Sequence, residues 1–263
     1  MRNGTLPLRA ARLLALGWAL NVKMLSQSAF DGFLGVLWPL FFATIAFLMF
    51  RIGHDPHTLL YASLGASVMG IWSSTSVQAS SALQRQRWQG TLELLVAAPV
   101  HFSLVLLPIT IAMSTVGIYS MAATLLWGRV LFGISIHFAH PWLFALAVPV
   151  TIVSIGMLGF LLSVTVVRYR TAWALGNMFE YPVWLVCGFL VPVSLFPGWV
   201  RPISWLLAPT WGMRAIRAAA SGGAPLGDLG VAAALGAGYA AMGILLIETV
   251  LRSARANATI SLT

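Results

Sequence analysis

Charge is what this sequence has least of. Of its 263 residues only 15 are Lys or Arg and 6 are Asp or Glu, together 8%. A soluble domain carries about 25%, because its surface must be wetted. A soluble globule of this length is therefore excluded. Disorder is excluded as well, since 59% of the residues are hydrophobic and disordered chains are poor in them. Cysteine is nearly absent. Cys187 stands alone in an apolar run, so no internal disulfide forms and an inert buried thiol is expected. Lysine is equally scarce. The single Lys23 is followed by Met24, so the Gly-Lys-Ser/Thr of a phosphate-cradling P-loop cannot be built, and this chain holds no such nucleotide site.

What remains is apolar sequence, with a mean hydropathy of +0.90. A helical span needs about 20 apolar residues to cross a hydrocarbon core of about 30 Å. Six segments qualify: 33–50, 59–77, 102–127, 142–167, 173–195 and 229–251. The expected fold is an all-α membrane protein with six transmembrane helices. Pro108, Pro149, Pro182 and Pro192 fall in or near them and predict kinks.

The net charge of +9 then sets orientation and gives no reason to expect nucleic acid. With both termini in the cytoplasm, ten basic residues lie inside (Arg2, Arg9, Arg12, Lys23, Arg85, Arg87, Arg168, Arg170, Arg252, Arg255). Five lie outside (Arg51, Arg129, Arg201, Arg214, Arg217). The positive-inside rule selects this topology. Residues 1–32 are read as an N-terminal interfacial segment. In it Arg9, Arg12 and Lys23 share one side of a helix, and Leu6, Leu13, Leu14 and Leu20 lie largely elsewhere. Residues 33–263 form the six-span domain. Its segment 196–228 is too short for two spans and too apolar for a free loop. Trp199, Trp205 and Trp211 favour the headgroup level, so an outer re-entrant helical hairpin between spans five and six is expected.

Residues 84–99 begin polar and become amphipathic. Gly90 breaks one helix, Thr91 is placed to cap the next, and Glu93 falls in its first turn, where the helix dipole favours an acid. Leu92, Leu95 and Val96 form a stripe and Pro99 ends it. Such a short surface helix, flanked by Arg85 and Arg87, suits a groove on a soluble partner; an interfacial connector is the plainer alternative.

Within the spans Glu180 is the clearest acid, with Asn177 one turn earlier on the same face. Two readings stay open. It lines a translocation pathway or gate, or it pairs structurally with a neighbouring helix. Glu248, four residues before Arg252, reads as half of a solvated i,i+4 pair. The paired histidines His54/His57 and His137/His140 read as ordinary loop residues, since no thiol and only Asp55 stands near them to complete a metal site.

The string Gly-Thr-Leu-Glu-x-Leu-x-x-x-Pro at 90–99 resembles the signature of the type-2 ABC exporter permeases. A second block agrees: Tyr181-Pro182, Gly188, Pro192, Pro197-Gly198-Trp199, Pro209, Arg214 and Arg217. Two positions depart from the usual pattern, with glutamines (Gln86, Gln89) where an upstream acid is common and Ala98 before the proline. The resemblance implies an exporter's transmembrane subunit in the plasma (inner) membrane. It would pair with a second permease subunit as a homo- or heterodimer. It would also bind a cytoplasmic ABC ATPase subunit, which holds ATP and Mg; no cofactor is expected in this chain. The helix at 84–99 and the N-terminal helix with Arg9 and Arg12 would form that contact. Tyr181 and Pro192 would join Asn177 and Glu180 along the pathway. The amphipathic cargo would be a drug, natural product, lipid-linked molecule or glycan. An importer permease and an intramembrane lipid-modifying enzyme are the alternatives. The first lacks its loop motif here, and the second lacks convergent acids and histidines.

Overall fold

A computed structural model describes residues 6–27, 37, 40–49, 56–88, 90, 101–168 and 173–257. The structure is all-helical, with no strand among the described residues. In chain order the helices are α1 (Leu6–Gln27), α2 (Leu40–Met49), α3 (Pro56–Trp88) and α4 (Ser103–Phe132). They continue with α5 (Pro141–Arg168), α6 (Trp173–Val186), α7 (Val200–Trp205), α8 (Ala208–Ser221) and α9 (Leu226–Asn257).

Three helices are long and apolar enough to cross a membrane: Ser103–Phe132, Pro141–Val164 and Leu226–Thr249. They coincide with the expected third, fourth and sixth spans. The other three expectations differ in instructive ways. The helix inside 33–50 is described only over Leu40–Met49. Segment 59–77 belongs to a 33-residue helix that starts at Pro56 and runs on to Trp88. It is rich in serine because it is the hub of the bundle. Every residue from Ala62 to Trp72 is buried, among them Ser63 and Ser67. A helix hidden all round from lipid can carry hydroxyls that bond its own carbonyls, as Ser67 Oγ does to Ser63 O at 2.8 Å.

Segment 173–195 departs from the expected span at its far end. The helix stops at Val186 because Gly188 turns left-handed (φ 72°), a conformation only glycine adopts without cost. Gly188 N–H and Phe189 N–H close back on Leu185 O and Trp184 O. The chain then bends, and Pro192 precedes a 3-10 turn, Val193–Leu195. Pro108, Pro149 and Pro182 lie within helices, as expected. Pro192 lies outside one.

Small residues set how closely the hub is gripped. A Cβ added to Gly117 of α4 would sit 2.8 Å from the Cα of Ile71. At Gly156 and Gly159 of α5 it would sit 2.7 Å from Ser114 Oγ and from Thr75 Cγ2. Backbones thus meet directly, the mode that replaces hydrophobic packing between membrane helices. A cross-helix hydroxyl contact, Thr75 to Ser114 at 3.1 Å, lies in the same seam. The small face of α9 is also used within the chain: Gly236 rests on Ser154 of α5, with an added Cβ 3.1 Å from its Cα.

Outside this core α1 lies along α4. Gly17 meets Pro108, and Trp18 Nε1 donates to Thr115 Oγ1 at 3.2 Å. Leu13, Leu16, Leu20 and Met24 point away, exposed. On α2, Phe47 is buried against Phe132 and Thr44 accepts from Trp127 at 3.0 Å, while Phe41, Ile45 and Met49 are exposed.

Candidate functional site

Three groups of residues were singled out by sequence, and the structure treats them differently. On the side expected to face the cytoplasm, α3 ends at Trp88 and exposed Gly90 is left-handed (φ 69°), which is the expected helix break. Arg85 and Arg87 sit on the last turns of α3, and Arg9 and Arg12 on α1, where Arg12 is exposed. Thr91, Leu92, Glu93, Leu95 and Pro99 lie outside the described residues. Glu248 faces across to His101, 3.8 Å from its Nδ1, a partner from the start of α4 that i,i+4 reasoning did not foresee.

At mid-depth the structure brings α2, α3 and α6 together. Glu180 is buried, and its carboxylate accepts a hydrogen bond from Ser73. Ser73 is 17 residues from the start of α3 and 15 from its end, roughly 25 Å from either at 1.5 Å per residue. No ion pair reaches Glu180 among the described residues. One turn further along α6 comes Trp184, also buried, whose indole N–H has no acceptor among the described residues. Tyr181, half exposed, packs edge-on against Trp184 with centroids 5.0 Å apart, and Phe42 of α2 packs on Trp184 at 5.1 Å. Asn177 is half-buried on the same helix. Pro192 stands apart, exposed beyond the helix end.

On the side expected to face outward, the segment 196–228 contains two helices, α7 and α8. Pro197 and Trp199 are exposed in the turn before α7, and Pro209 is buried in the first turn of α8. From α8, exposed Arg214 reaches the largely covered Asp228 at 3.3 Å and lies over Trp211 at 4.7 Å. Arg217 points inward. It donates to the carbonyls of Gly188, at 2.8 Å, and of Phe189, and its guanidinium stacks on Tyr61 of α3, 3.2 Å from the ring centroid. These carbonyls close α6, so a cation there also suits the helix dipole. Burial pulls the guanidinium down to about 10 while the Tyr61 phenol pushes it back up, so it remains charged at neutral pH. Gly65 of α3 lies directly under the Phe189 carbonyl, where any side chain would collide.

Sequence reading missed Ser73, Trp184, Phe42, Tyr61 and Gly65. Trp184 alone carried a signal, being four residues from Glu180 on one helical face. The rest come from other helices.

Long apolar helices around a hub that hides a carboxyl group and a guanidinium define a helical multi-pass membrane protein. The family model described as ABC-2 type transporter matches residues 11–220, and the chain belongs to that family. It is a type-2 ABC transporter permease, a membrane transport component of a family that works in general with an ABC ATPase and as dimers. No curated protein matches the chain significantly.

Proposed function

We propose that this chain is the transmembrane subunit of an ATP-driven exporter in the plasma (inner) membrane, with both termini cytoplasmic. Two copies, or this chain and a related one, form the pathway. A separate ABC ATPase subunit binds ATP and Mg and docks on the cytoplasmic segment 84–99, helped by Arg9 and Arg12 of α1. Six crossings and a re-entrant outer hairpin complete the reading. Asn177, Glu180 and Tyr181 line the pathway. The cargo is an amphipathic molecule.

The observation that carries this reading is the family match over residues 11–220 in a chain whose only lysine, Lys23, cannot belong to a P-loop. Transport energy from ATP then enters from outside these 263 residues, and we assign it to a separate ATPase subunit. The break at Gly90, at the end of a long hub helix, supports docking at that point. The export direction rests on the Gly-Thr-Leu-Glu string at 90–93.

The test is co-purification. The intact chain should retain an ABC ATPase and couple its hydrolysis to outward movement of a cargo in proteoliposomes. Deleting residues 84–98 should abolish both. An ATPase that still binds and couples after the deletion would remove the docking assignment. Uptake in place of efflux would remove the exporter reading.

A further inference from the structure

The mid-depth group holds an unusual set of loose ends. Glu180 is a buried acid whose one described partner is a serine hydroxyl. A carboxylate in apolar surroundings gains most from an arriving positive charge. The buried Trp184 indole N–H lacks an acceptor among the described residues, so this side chain is also incompletely satisfied there. Around it stand the rings of Tyr181 and Phe42, with centroids 5.0 and 5.1 Å from that of Trp184 and 6.3 Å from each other. Aromatic faces attract cations, and most strongly where water is excluded. A carboxylate for the charge and a ring cluster for the apolar body are the two halves of an organic-cation site.

We infer that Glu180, Trp184, Tyr181 and Phe42 recognise a lipophilic organic cation, so that the cargo carries a positive charge on an apolar frame. This rests on the exporter reading for its biological use, though not for the binding itself. Neutral glycans gain nothing from the carboxylate, and lipid phosphates are repelled by it. Tyr181, next to Glu180 in the chain, is half exposed and packs on Trp184, so the ring cluster reaches the protein surface.

The probes are tetraphenylphosphonium, a permanent cation that cannot become neutral, and triphenylphosphine oxide, its uncharged relative. Binding of each is measured by equilibrium dialysis on the full-length chain purified with whatever ATPase it retains. The intact protein should bind the cation at least about tenfold more tightly than the neutral probe, the size of a desolvated cation–π plus ion-pair contribution. Glu180→Gln should erase that preference and Glu180→Asp should restore part of it. Tyr181→Leu should weaken cation binding severalfold while Tyr181→Phe leaves it unchanged. Because Tyr181 is half exposed, this second pair stays readable even where a change at Glu180 spoils folding. Equal affinity for the two probes in the intact protein, or cation binding indifferent to both Glu180→Gln and Tyr181→Leu, overturns the site. The two readings fail separately. ATP hydrolysis coupled to efflux without cation preference sinks the site alone. Glu180-dependent cation binding by a chain that never engages an ATPase sinks the exporter alone.

Discussion

Arg217 and Glu180 make an informative pair. Both are ionisable, both are inserted into an apolar helical bundle, and both lean on α3, at Tyr61 and Ser73 respectively. Those two contacts are twelve residues apart, roughly 18 Å along the helix. Their surroundings are opposite in kind. Arg217 has two carbonyls to receive its protons and a ring beneath its face. Glu180 has one hydroxyl among the described residues. A buried charge bonded to several neighbours is a clamp, because removing it strands them, even though the Arg217 Nε itself finds no acceptor among the described residues. One with a single partner adds little to the fold and leaves capacity for something else. The difference separates a charge that ties helices together from one with capacity left over, though both look alike in a list of rare intramembrane charges.

The comparison is broken most directly at the clamp. Arg217→Ala leaves the Gly188 and Phe189 carbonyls without their donor, and at about 1–3 kcal/mol for each stranded acceptor a loss of about 2–5 kcal/mol is expected, seen as a large fall in the melting temperature of the purified protein. Arg217→Lys should recover only part of it, because an ammonium lacks the planar fork that reaches two carbonyls and stacks on a ring. A lysine variant as stable as the native chain would show that point charge alone is enough.

Next in size is Gly65→Ala, whose methyl group runs into the Phe189 carbonyl. Overpacking of this kind costs about 1–3 kcal/mol. It should lower the melting temperature without touching any charge, and an unchanged melt would mean that α3 and the end of α6 do not approach as described. Glu180→Gln is the counterpart. The amide keeps an acceptor for Ser73, so stability should move by less than about 1 kcal/mol, the net worth of one such hydrogen bond. A collapse on the scale of Arg217→Ala would place Glu180 among the clamps. The smallest effect is expected at exposed Arg214, where Arg214→Ala should cost under about 1 kcal/mol, less still in high salt.

Three spans were readable because they are apolar along their whole length, as helices with lipid-facing sides must be: α4, α5 and α9 lie where hydropathy puts them. The hub helix α3 was underestimated for the opposite reason. Its neighbours replace lipid, so its serines are no handicap, and hydropathy sees only a span fading out after Val77. The end of α6 was overestimated because the apolar run continues past Gly188, and a left-handed turn has no hydropathy. At the site, Glu180 stood out as a lone acid in an apolar stretch. Its partner Ser73 is 107 residues away and one serine among many, so only folding joins them. Arg217 was counted as an outer charge that sets orientation, since nothing local to α8 reveals the carbonyls it meets on another helix.

The grip of Gly117 on Ile71 has a mechanical corollary. Ile71 stands 15 residues from one end of α3 and 17 from the other, so an unbroken rod about 50 Å long is held near its midpoint. Its two sides are not equally free. The Tyr61 side is pinned again by Arg217 and by Gly65 under the Phe189 carbonyl, while the other side runs about 25 Å past Ile71 to Trp88. A push on Trp88 therefore acts at the end of a lever rooted at Ile71, and it moves Ser73, two residues from the root, least.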